Sequence, residues 1–204
     1  MKKLTAFLLI IIFALGTLVS CGGSKRPGLY DARGRRIASW DELDGDYKLD
    51  LEFDYESSID TYYSNTLLKN LMEDKPELSG GKRLVIDDSV TKIGVSALSG
   101  TTLSEVVIPD SVRSIGEWAF YASTIREVNI PEGITIINVG TFDDCKSLLT
   151  IELPESLKTI DIVAFNGCDS LTDVYYAGSS EQWEKIDIGA YNDALKNATI
   201  HFGK

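Results

Sequence analysis

One histidine, three cysteines and 31 carboxylates are the groups in this chain that could do chemistry. The histidine, His201, falls in a short alternating segment at 198–202. No serine or cysteine nucleophile shares that segment, so His201 reads as strand filler and not as a general base. Paired acids hydrolyse glycosides when one of them sits in an apolar pocket that raises its pKa. Here the acids instead recur once per copy of a repeat, as Asp88, Asp110, Glu132 and Glu155, and as Glu105, Glu127 and Asp173. Such columns indicate solvent-facing positions. There is no Gly-x-Ser-x-Gly elbow and no His-Glu-x-x-His pair, and "SGGKR" at 79–83 has Pro76 where a phosphate loop needs its first glycine. The acids of "DELDGD" at 41–46 stand at the wrong intervals for a calcium loop. No catalytic residue, metal ligand or cofactor is therefore expected, and the chain does not read as an enzyme.

The cysteines point elsewhere. Cys145 and Cys168 are separated by one local repeat interval. They read as small apolar fillers of an inward-packed loop. A disulfide between adjacent coils stays open, since stacked coils would bring them within reach. Cys21 follows a basic start, Lys2-Lys3, and an unbroken apolar run from Thr5 to Val19. That run is short for a membrane span and suits an export signal. "LVSCGG" at 18–23 resembles the lipobox of bacterial lipoproteins. The resemblance implies removal of residues 1–20, acylation of Cys21 and anchoring to a membrane, with Gly22 compatible with outer-membrane sorting. Several acyl chains at about 0.8 kcal/mol per methylene hold where one chain would be marginal. Loss of the two signal lysines takes the net charge from −11 to −13, which disfavours nucleic acid as a partner.

The elements that must position any surviving function are written as a repeat. "LVIDDSVTKIGVSAL" (84–98), "LSEVVIPDSVRSIGEWAF" (103–120), "IREVNIPEGITIINVGTF" (125–142) and "LLTIELPESLKTIDIVAF" (148–165) align on Leu98, Phe120, Phe142 and Phe165. The spacing predicts strand-containing coils that stack, because one thin coil cannot bury both its faces. Val106 and Ile108 share the inward side of a strand that Pro109 ends. Val112 and Ile115 return to the core. Gly94, Gly116, Asn138 and Asp161 mark the next bend, where left-handed backbone is expected.

Over residues 84–176 this pattern resembles the leucine-rich repeats of BspA-like bacterial surface proteins. The resemblance implies a β-rich leucine-rich-repeat solenoid of four or so coils, each of roughly 22–23 residues. Around it we expect a tether and small α+β N-terminal cap (21–80), repeats over 81–176 and a C-terminal cap (177–204). In the N-terminal region the sequence predicts a hairpin around Ala32-Arg33-Gly34, a helical turn after Ser39, a strand over 47–55 and a helix over 61–73. At the far end it predicts a helical turn near 180–185 and a strand at 198–202.

The family implies adhesion-type roles: a lipid-anchored envelope or surface protein that recognises a protein or glycan. A scaffold subunit of an envelope assembly is the alternative. Residues interleaved with the core must face outward on the sheet. One outward column is Val85, Val107, Asn129, Glu152 and Tyr175; its neighbour is Arg83, Glu105, Glu127, Thr150 and Asp173. Trp118 and Tyr121 flank Phe120 on another side, as a second contact or as packing against a neighbouring loop.

Overall fold

The computed structural model describes residues 26, 28–30, 36–39 and 82–203. Its main ribbon is built from β3 (Lys82–Val85), β5 (Leu103–Val107), β7 (Glu127–Asn129), β9 (Thr150–Leu153), β11 (Asp173–Tyr176) and β13 (Thr199–Phe202). All six run parallel, each beside the strand one coil away. The strands β1 (Gly28–Tyr30) and β2 (Arg36–Ser39) pair antiparallel, and β1 joins antiparallel to β3; the turn expected around Ala32-Arg33-Gly34 lies outside the described residues. The helical turn, strand and helix expected between residues 39 and 73 lie outside the described residues, as do the signal and Cys21.

Each coil returns through a two-residue strand: β4 (Lys92–Ile93), β6 (Ser114–Ile115), β8 (Ile136–Ile137), β10 (Thr159–Ile160) and β12 (Asp187–Ile188). These pair in parallel as β4–β6 and as β8–β10–β12. The break has a local cause. In the other coils the carbonyl of the buried isoleucine accepts the backbone N–H that follows the isoleucine of the next coil, as from Gly116 to Ile93 and from Asp161 to Ile137. At the break, Ile115 accepts from the side-chain amide of Asn138 at 2.6 Å. The asparagine side chain supplies the missing rung.

The core is the set of columns that the repeat predicts. Leu84, Val106, Val128, Ile151 and Val174 point inward from the main ribbon, facing Ile93, Ile115, Ile137 and Ile160. Phe120, Phe142 and Phe165 stack face to face, with ring centroids 5.2 and 5.3 Å apart. Each buried ring removes enough apolar surface from water to contribute roughly 1.5–3 kcal/mol. Thr101, Ser123, Cys145 and Cys168 form the adjoining buried column. Both thiols are free. Cys145 Sγ donates to the carbonyl of Phe120 at 3.0 Å, and Cys168 Sγ to that of Phe142 at 3.1 Å. Burial pushes the Cys145 thiol up to about 11 and the Cys168 thiol further still. The buried-filler reading holds, with a polar duty that a purely apolar residue would not perform.

Residues 177–202 continue both ribbons: β12 pairs with β10 and β13 with β11. Before β12 lies α1 (Ser180–Trp183), begun by a Ser179–Gln182 capping box, and between β12 and β13 lies α2 (Asp193–Asn197), whose Leu195 is buried. The expected helical turn and final strand are both present.

One expectation of the bend is corrected. Gly94, Gly116, Asn138 and Asp161 are not left-handed. A Cβ on Gly116 would lie 2.6 Å from the backbone of Gly94 and Val95, so the glycine serves close approach between coils. The left-handed residues come two positions later. They are Ser96, Trp118, Gly140, Val163 and Tyr191, with φ between 52° and 62°.

Candidate functional site

Alternation along the main ribbon turns every second residue outward, and parallel register lines these residues up. Arg83, Glu105, Glu127, Thr150, Asp173 and Thr199 are paired in succession. In the second row Val85 pairs with Val107, Asn129 with Glu152, and Tyr175 with both Glu152 and His201. The structure therefore brings together the sheet residues singled out from sequence. Glu105, Val107, Glu127, Asn129, Thr150 and Glu152 line a shallow groove of about 320 Å³. Asn129, Glu152 and Tyr175 extend it into a second of about 240 Å³ toward Pro131 and Pro154. Val85 departs from this pattern: it is buried, 4% exposed, at the end of the face where the hairpin joins.

The charges on this face are partly answered. Arg83 Nε donates to Glu105 Oε1 at 2.7 Å across adjacent coils. Glu127 has no ion-pair partner among the described residues. At the far end His201 does more than fill a strand. Its Nε2 donates to Asp173 Oδ1 at 2.7 Å, and its ring stacks on Tyr175 with centroids 4.6 Å apart. That hydrogen bond, followed by one from Thr172, holds the Asp173 carboxyl below the ordinary carboxylate range. Sequence reasoning misses His201 as a member of the face, and strand pairing reveals it. Ile200 falls in register with Val174, which places His201 beside Tyr175.

Trp118 and Tyr121 lie apart from the sheet and meet each other edge to face, with centroids 5.6 Å apart. The Trp118 ring covers Gly140 of the next coil, where any Cβ would collide with the indole. Packing against the neighbouring coil is therefore what holds Trp118, while Tyr121 remains exposed. The expected lipidation at Cys21 lies outside the described residues. Among the described residues no three His, Cys, Asp or Glu side chains cluster as a metal site.

Stacked coils of one recurring length, with a parallel sheet on one side, an inward Phe column and an outward polar face, define a leucine-rich-repeat solenoid. Residues 79–195, more than half of the chain, match the model of the BspA type leucine rich repeat region in six copies. The chain belongs to that family. Six copies exceed the four or so coils expected from sequence; β12, which extends the return ribbon beyond residue 176 within the matched range, accounts for part of the difference. None of the curated proteins matches the chain. Among solved structures it is similar to a leucine rich cell surface protein from Faecalibacterium prausnitzii, at 30% identity and a TM-score of 0.40. That match covers 53% of this chain and 38% of the other.

Proposed function

We propose that this chain is a lipid-anchored protein of a bacterial envelope or surface, that it binds a protein or glycan through the outward face of its main ribbon, and that it is not an enzyme. The observation that carries the reading is the two adjoining grooves, in which Glu105, Glu127, Asn129, Thr150, Glu152 and Tyr175 are held at strand spacing by a fixed core. Polar and aromatic groups displayed on a rigid ladder lose little entropy on binding. Carboxylates predominate on this face, so a basic or polar partner and salt-sensitive association fit it best. The "LVSCGG" motif supports the anchor, and BspA-type repeats support a surface role.

A glycan array and a panel of basic proteins would be screened with the mature protein. Replacing Asn129, Glu152 and Tyr175 together by Ala should weaken the best binder at least about tenfold. Unchanged binding in that variant, together with loss on Trp118→Ala, would move the site off the sheet. Release of the protein from membranes by Cys21→Ser would support the anchor, and protease shaving of intact cells would report which side the repeats face. Robust turnover in a hydrolase panel would overturn the non-catalytic reading.

A further inference from the structure

A second face runs down the opposite side of the solenoid, where the short return strands end. Its backbone is a ladder between coils: Trp118 N–H donates to the carbonyl of Val139 at 3.0 Å, Gly140 to Ile162 at 3.3 Å and Val163 to Ala190 at 3.0 Å. The side chains at and beside the left-handed column are Trp118, Val139, Ile162, Val163 and Tyr191. None of the five is buried, Ile162 is 47% exposed and Tyr191 is 68% exposed. Val163 holds φ 52°, a conformation that β-branched residues rarely adopt. Nothing in the core demands apolar residues here, since Ser96 occupies the same column in the first coil and Gly140 in the third. Ile162 and Tyr191, apolar and solvent-exposed on adjacent coils beside half-buried Trp118, Val139 and Val163, mark an interaction surface.

Charge decides the occupant. The nearby lysines, Lys146 and Lys196, are already held by Asp144 at 3.2 Å and Asp193 at 3.8 Å. Glu117, beside Trp118, has no ion-pair partner among the described residues, nor has Asp169. Asp169 lines a groove of about 390 Å³ that Tyr191 walls and that carries no lysine or arginine. A second copy of a chain with net charge near −13 after signal removal would be repelled, as would an anionic lipid surface. We infer that this turn edge docks a cationic amphipathic polypeptide segment. Its apolar side chains would lie along Trp118, Ile162 and Tyr191, and its lysines or arginines would reach Glu117 and Asp169. The inference does not depend on which ligand the sheet face takes.

The test uses the intact mature protein and a fluorescent amphipathic helix made only of leucine and lysine, read by anisotropy. The same peptide with glutamate in place of lysine is the control. The Leu/Lys peptide should bind, and a combined Ile162→Ser and Tyr191→Ser variant should weaken it at least about tenfold without change in circular dichroism. Tyr175→Ala should leave its affinity unchanged. Equal binding to the serine variant would mean that charge alone attracts the peptide, and the inference would fail. It would fail as well if the wild type sedimented as a dimer that the serine variant dissolves, or if the Leu/Glu peptide bound as tightly.

Discussion

The sheet face and the turn edge are built from the same repeat and expose side chains for different reasons. On the sheet, strand alternation sends every second residue out at no conformational cost, so Glu105, Asn129 or Tyr175 can be exchanged without disturbing the core. On the edge, each coil bends through a left-handed residue, and of Ser96, Trp118, Gly140, Val163 and Tyr191 only Gly140 is a glycine. The first face is free to vary; the second carries strain. Apolar residues retained under strain are the ones whose removal should tell the two faces apart.

The largest effect should come from removing what both faces share. Phe142→Ala empties the middle of the aromatic stack and should cost about 3–5 kcal/mol in urea denaturation, with both binding activities lost together. Next is the Cys145 thiol. Its pKa is raised in the folded state to about 11, so folding favours the protonated form. That contribution is complete below the ordinary thiol range near 9 and disappears as pH rises through about 11. Within this window stability should fall by up to ~1.4 kcal/mol per pH unit, and the fall should shrink in Cys145→Ala. Near pH 7 the thiol should resist alkylation until the protein unfolds.

Gly140→Ala should act on the edge alone. It places a Cβ against the Trp118 indole and into left-handed backbone, at a cost of roughly 1–3 kcal/mol. Adding Trp118→Ala should return part of that loss, a non-additivity that a double-mutant cycle measures. Full additivity would mean that the two residues do not press on each other. The smallest effect has the opposite sign. Val163→Gly should stabilise the fold by up to ~1 kcal/mol by relieving strain, while weakening whatever docks on the edge.

The fold is largely legible because its determinants are periodic. Ile86, Ile108, Ile130 and Leu153 can be aligned by eye, and each is buried. The sheet face follows from the same register, down to the neighbours of Tyr175. What cannot be read depends on individual side chains acting outside the pattern. Asn138 looks like one more turn residue, yet its amide replaces a backbone rung. The left-handed column is invisible in the sequence because serine, tryptophan, valine and tyrosine give no sign of that conformation. His201 aligns with nothing, because the last interval is longer than the others. Its strand pairing, and not its chemistry, brings it to Tyr175 and Asp173.

That longer interval has a practical meaning. Ile188 stands further from Ile160 in sequence than Ile93, Ile115, Ile137 and Ile160 stand from one another. The two nevertheless pair directly, as Thr159 does with Asp187. The surplus is taken up in the arc that holds α1, where Glu184 and Lys185 are exposed between half-buried Trp183 and buried Ile186. A coil closes through its ladder whatever the length of its outer arc. The junction of Glu184 and Lys185 is accordingly the natural splice point for an epitope or reporter, one that would label the protein on cells while leaving both faces intact.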